Sequence, residues 1–224
     1  MIYIINQPAG LGDIFYTQKI PKEIVNQTPG AKVMWPVIDN FSYLSKYLKA
    51  DNIDYIKQSE FIKPAHSINV NLRTADTRYK DVSIMSAKFK EVGLSETRWL
   101  DYFTFERDTE RENLLYDKLV GDIEDYVVRN IHYASPPNSL KRDVTYNGNL
   151  KIVDINFYSD VNIFDWCKIL ENAKELHMVE TSFIYIVEKL KLKASIFKLY
   201  SRFNPPNFSH IKHIPQNVPW DFEC

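Results

Sequence analysis

Short apolar runs alternate with stretches of helical periodicity, and the alternation occurs twice along the chain. The first series opens with a strand expected over 2–6, whose apolar run from Ile2 to Ile5 suits burial on both faces. Ile14, Tyr16, Ile20 and Ile24 then mark a helix that Pro21 should bend. A second strand is expected over 32–38. A helix opening at Asp39-Asn40-Phe41-Ser42 follows, with Tyr43, Leu44, Tyr47 and Leu48 on its apolar face. Short strands over 53–56 and 67–72 complete a strand–helix–strand order that implies a parallel sheet with crossover helices.

After a helix over 85–92 and an aromatic cluster at Trp99, Tyr102, Phe103 and Phe105, Asp108-Thr109 opens a charged helix over 110–120. Its apolar positions are Leu114, Leu115 and Leu119. The second series follows: strands over 126–131, 150–155, 175–179 and 195–199, helices over 163–173 and 182–190, and a Pro- and Asn-rich tail. Pro136-Pro137-Asn138-Ser139 forces a loop after the first of these strands. The expected architecture is therefore α/β with parallel sheets in two small Rossmann-like domains, residues 1–108 and 109–224.

Composition narrows the function classes. Of 224 residues, 45% are hydrophobic and 25% charged, which excludes a mostly disordered chain. Lys+Arg 28 against Asp+Glu 29 argues against nucleic acid as a partner. Two cysteines, one of them Cys224, make neither a disulfide framework nor a structural zinc site. No apolar run is long enough to cross a membrane, and Met1-Ile2-Tyr3-Ile4-Ile5 lacks the basic start of a signal peptide, so a cytoplasmic location is expected.

Candidate chemistry lies at strand carboxyl ends, where open parallel sheets bind ligands. Two of the six glycines fall in Ala9-Gly10-Leu11-Gly12-Asp13, between a buried strand and a helix. Such glycines let backbone N–H groups approach an anion, or simply make a tight turn that Asp13 caps. Phe15 stands where a dinucleotide fingerprint needs its third glycine, which speaks against a nicotinamide-dependent oxidoreductase. At Val179-Glu180-Thr181-Ser182 a strand runs into a helix. Thr181 or Ser182 caps that helix, or the hydroxyls hold a phosphate while Glu180 accepts from ligand hydroxyls. A third loop carries His132, Ser135, Lys141 and Arg142, the last two able to neutralise a diphosphate or merely solvated. Phe157-Tyr158 offer an aromatic for a base or ribose pocket, or ordinary packing. His177 reads as a satisfied core histidine, His210 and His213 lack ligand partners, and Cys167 reads as core. The nearest approach to paired carboxylates is Asp154-Ile155-Asn156, so no metal site is expected.

The segment Gly10-Leu11-Gly12-Asp13-Ile14, with Thr17 and Pro21 beyond it, resembles the N-terminal motif of the heptosyltransferase-like glycosyltransferases. The segment from Glu180-Thr181-Ser182-Phe183 to Leu190 looks like their later Asp-Thr-Gly motif. It also resembles the Ser-Ser-Phe variants of fucosyltransferase-like and virus- or phage-encoded relatives, as do Ile163-Phe164-Asp165-Trp166 and the stretch from Glu171 to His177. Abundant Lys, Asn, Ile and Tyr suit an AT-rich, virus-encoded minimal member. The resemblance implies a GT-B architecture with two domains facing across a cleft, the first on the acceptor side and the second on the donor side. It implies Asp13 as base and Glu180, Thr181 and Ser182 as donor contacts; Gly10, Gly12, His132, Lys141, Arg142 and Tyr158 join them as donor-binding candidates on the residues' own placement after predicted strands. The implied reaction is inverting, metal-independent transfer from a nucleotide-diphosphate sugar to a glycan or glycoconjugate hydroxyl, with no cofactor. Glu180 for the usual Asp, Ser182 for Gly and Tyr185 for His leave the donor sugar open. The chain is also short for such an enzyme, so the other reading is a non-catalytic sugar-nucleotide or glycan-binding module.

Overall fold

The structure, a computed structural model, describes all residues except 80, 134–139, 157, 209–210, 212–215 and 224. Ser135, Phe157, His210, Lys212, His213 and Cys224 thus lie outside the described residues. The chain divides into two compact units, Met1–Glu106 and Arg107–Cys224.

In the first unit, strands β1 (Ile2–Ile5), β2 (Lys32–Val37), β3 (Ile53–Lys57) and β4 (Ser67–Val70) form one parallel sheet in the order β3-β2-β1-β4. β1 is central, and its Ile5 is wholly buried, as the apolar run requires. The helix expected between Ile14 and Ile24 is two helices, α1 (Leu11–Tyr16) and α2 (Lys19–Gln27). Pro21 has no N–H to reach the Thr17 carbonyl; the Ile20 N–H takes that carbonyl at 2.9 Å, and Pro21 falls in the first turn of α2, where no donor is needed. Short helices α3 (Leu44–Tyr47), α4 (Ala75–Arg78), α5 (Ile84–Glu91) and α6 (Trp99–Tyr102) cover the sheet. The aromatic cluster is core: Phe15 stacks on Phe103 at 4.8 Å, and Tyr16 meets Trp99 at 5.0 Å and Phe89 at 5.4 Å. The place of a third glycine is thus taken by a ring that the core needs.

The second unit is also a parallel sheet, in the order β6-β5-β7-β8-β9. Its strands are β5 (Tyr126–Asn130), β6 (Lys151–Asp154), β7 (Glu175–Val179), β8 (Ile196–Tyr200) and β9 (Asp221–Glu223). β9 lies in the tail that looked irregular; its three residues carry one apolar side chain, too little for a pattern. Lys198 pairs with Asp221 and Glu223 and binds it to β8. Helix α7 (Thr109–Leu119) is capped by Asp108, which accepts from the Arg111 N–H at 3.2 Å. Leu114 is 66% exposed, contrary to its place on the expected apolar face, whereas Glu112 is buried. Ion pairs explain the exchange: Arg107 grips Glu112 and Glu171, and Arg111 grips Asp165 at 2.7 Å. The helix expected over 163–173 begins as a 3-10 turn, Ile163–Trp166, before α8 (Cys167–Asn172). The last helix, α9, is Phe183–Val187, only five residues long.

Candidate functional site

In the first unit the loop after β1 folds back on itself, the Gln7 side-chain amide donating to the Ala9 carbonyl at 2.6 Å. Gly10 follows at φ 81° and ψ 89°, a conformation that a side chain resists, and it forms the N-cap of α1 without a side-chain bond. Gly12 is the second residue of that helix and Asp13 the third. The Asp13 carboxylate lies back over Gly10: a Cβ there would sit 2.3 Å from Oδ2. Its Oδ1 is 3.1 Å from Lys88 Nζ, which also donates to Gln7 Oε1 at 2.7 Å and the Leu72 carbonyl at 3.0 Å. The Lys88 side chain is 4% exposed and that of Asp13 30%. Asp13 is therefore held by a buried cation on one edge and open on the other.

In the second unit the informative residue is Asn130, at the carboxyl end of β5 and almost fully buried. Its side-chain oxygen accepts from the His132 backbone N–H at 3.1 Å, and its side-chain nitrogen donates to Thr181 Oγ1 at 3.2 Å. Two loops that lie about 50 residues apart in sequence thus meet at neighbouring strand ends. Thr181 Oγ1 also accepts from the Phe183 N–H at 3.4 Å and so caps α9; Ser182 occupies the N-cap position but makes no capping bond. Glu180 is 2% exposed, its backbone N–H donating to the Tyr200 carbonyl at 3.0 Å. Its Oε1 lies 3.2 Å from Nε of Arg202, just beyond β8.

His132 is buried and pairs as an antiparallel bridge with Lys141, and the Arg142 N–H donates to the Ile131 carbonyl at 2.9 Å. Lys141 and Arg142 thus return beside the end of β5, Lys141 exposed and Arg142 half-buried. Burial, and then the Lys141 charge, hold the His132 imidazole below the ordinary histidine value. Arg129 engages Asp154 through Nε at 2.7 Å and Nη2 at 3.0 Å, so the nearest approach to paired carboxylates serves a structural ion pair. Tyr158 lies beneath Lys118 of α7, 4.9 Å from ring centre to Nζ, apart from the set that Asn130 gathers. His177 bonds Glu175 at 3.1 Å and Tyr200 at 3.3 Å, as a satisfied core histidine does, and burial pushes the Cys167 thiol up. Among the described residues, no three His, Cys, Asp or Glu side chains converge as a metal-ligand set, and no helix is long and apolar enough to cross a membrane.

Three residues escaped the sequence reading. Lys88 had a visible signal: it shares a helical face with Met85, Phe89 and Val92, where a lysine needs an anion. Arg202 lies just beyond a predicted strand end, as the other candidates do. Asn130 had no signal beyond being polar in a buried strand.

No protein-family model matches the chain, and no curated protein matches it by sequence. Solved structures do match. The glycosyl transferase family 9 protein of Veillonella parvula DSM 2008 is 8% identical with a TM-score of 0.58, over 99% of this chain and 86% of that one. The bacterial iron-containing dodecameric glycosyltransferase TibC of enterotoxigenic E. coli H10407 is 10% identical with a TM-score of 0.50. That match covers 89% of this chain, which spans only 57% of TibC. At such identities the likeness establishes the fold: α/β with two parallel sheets, as in GT-B glycosyltransferases.

Proposed function

We propose that the protein is a glycosyltransferase that moves a sugar from a nucleotide-diphosphate sugar to a hydroxyl acceptor, with inversion and without a metal ion. The second unit binds the donor, and the first carries the base that activates the acceptor. The observation that carries the reading is the Asn130–Thr181 bond, which gathers His132, Lys141, Thr181 and Glu180 at adjacent strand ends. This is a place where an α/β sheet binds ligands, and it offers cations for phosphate and a carboxylate for hydroxyls.

In the reaction the acceptor oxygen attacks the anomeric carbon, and Asp13 takes its proton through the open edge of the carboxylate. The bond from the anomeric carbon to the diphosphate breaks, and Lys141 and Arg142 meet the charge that develops. Glu180 accepts from ribose or sugar hydroxyls. The test is release of nucleoside diphosphate from a panel of sugar nucleotides with sugar acceptors, for the wild type and for Asp13→Asn. The variant should lose at least about a hundredfold in rate, the usual worth of a general base. A variant as fast as wild type refutes the base, and donor binding without turnover in the wild type assigns the chain to the binding modules.

A further inference from the structure

The buried amide of Asn130 fixes the polarity of the hydroxyl beside it. The His132 backbone N–H can only donate, so the amide oxygen faces it, at 3.1 Å, and the amide nitrogen faces Thr181 Oγ1, at 3.2 Å. The Phe183 N–H, also a donor only, reaches the same Oγ1 at 3.4 Å. A threonine hydroxyl has two lone pairs and one proton. Both lone pairs of Thr181 are thus taken by protein donors, and among the described residues its proton meets no acceptor. The place of the hydroxyl gives that proton a use. In the sheet order β6-β5-β7-β8 the chain leaves β5 for β6 on one side, and β7 for β8 on the other. The crevice between the carboxyl ends of β5 and β7 is therefore the switch point at which such sheets bind ligands, and the Asn130–Thr181 bond spans it. Thr181 is half-buried there, and Lys141 returns beside His132, on the other side of the same amide.

We infer that Asn130 is a positioning residue that makes Thr181 an obligate donor, and that the group this hydroxyl meets is a phosphate oxygen of a nucleoside diphosphate. The inference rests on the glycosyltransferase reading above. A phosphate oxygen only accepts, and it carries charge, whereas a sugar hydroxyl must also place its own proton. An aspartate at position 130 would reverse the arrangement. One carboxylate oxygen still accepts from the His132 N–H, but the other takes the Thr181 proton. The lone pair that this frees on Oγ1 calls for a ligand that donates, which a diphosphate does not do.

Calorimetric titration of the full chain with ADP, GDP, UDP, CDP and the parent nucleosides tests this in the wild type, Thr181→Val, Thr181→Ser, Asn130→Asp and the double variant Asn130→Asp with Thr181→Val. Thr181→Val should weaken the nucleoside diphosphates by roughly ten- to a hundredfold, the worth of a hydrogen bond to a charged group, and leave the nucleosides unmoved. Thr181→Ser, which keeps the hydroxyl, should bind as the wild type does. Asn130→Asp should weaken the same ligands, in part because its charge repels them. The coupling separates the two causes. Once the hydroxyl has turned to the carboxylate, Thr181→Val should add less than about twofold. A loss from Thr181→Val as large in the Asn130→Asp chain as in the native one means that the two residues act independently, and overturns the inference. So does nucleoside diphosphate affinity unchanged by Thr181→Val alone, which decides the matter if Asn130→Asp does not fold. Both results leave the glycosyltransferase reading standing. A wild type that binds none of the four nucleoside diphosphates defeats that reading itself.

Discussion

A lysine ammonium that is almost wholly buried must place each of its three N–H donors on a protein acceptor, and Lys88 does so with Asp13, Gln7 and the Leu72 carbonyl. Its removal strands all three, with Asp13 the least affected because part of its carboxylate stays in water. Lys88→Met should lower stability in urea unfolding by about 3 kcal/mol. A loss under about 0.5 kcal/mol, the range of ordinary surface substitutions, would contradict the network. His132 makes a pH prediction. Its imidazole titrates below the ordinary value in the folded chain and at that value when unfolded, so between the two the unfolded chain binds more protons. Stability should therefore fall as pH drops through the ordinary histidine range, and level off below the folded value. The difference between wild type and His132→Gln in urea midpoints at pH 7.5 and 5.5 isolates this group. Parallel pH dependence in the two proteins would remove it.

At the scale of elements, one carboxylate fastens the tail. Glu188, just beyond α9 and almost fully buried, accepts from the backbone N–H groups of Gln216 at 2.9 Å and Asn217 at 2.7 Å and from the Trp220 indole at 2.9 Å. Trp220 immediately precedes β9 and packs edge-on to Phe197 of β8 at 6.0 Å. Glu188→Ala leaves three donors without their acceptor and should cost about 2–4 kcal/mol. Amide exchange at Gln216 and Asn217 should quicken with it; unchanged exchange at both would mean that something else anchors the tail. Such features mark the boundary of what local pattern reveals. The strand over 175–179 was legible to the residue because its apolar Leu176, Met178 and Val179 are bounded by Lys174 and Glu180. The helix over 182–190 was overextended: its apolar positions continue past Val187, but Glu188 turns to the tail instead. β9 and the burial of Glu112 depend on partners distant in sequence, which periodicity cannot name.

For the whole molecule, the two series of alternating elements were legible early, and each corresponds to a parallel sheet. The sites were legible only as loops. That Thr181 meets the end of β5 depends on β5 and β7 being neighbours, a fact of sheet order that no local motif contains. The fold is shared with glycosyltransferases, but the proposed chemistry of transfer rests on these loops, and so does the most direct test. A thermal-shift panel of nucleotide-diphosphate sugars, each at about a hundredfold excess over its dissociation constant, should find at least one donor that stabilises the native chain by roughly 2.7 kcal/mol and raises its melting temperature by several degrees. A panel that spans the common bases and sugars and leaves the melting temperature unmoved would contradict the account.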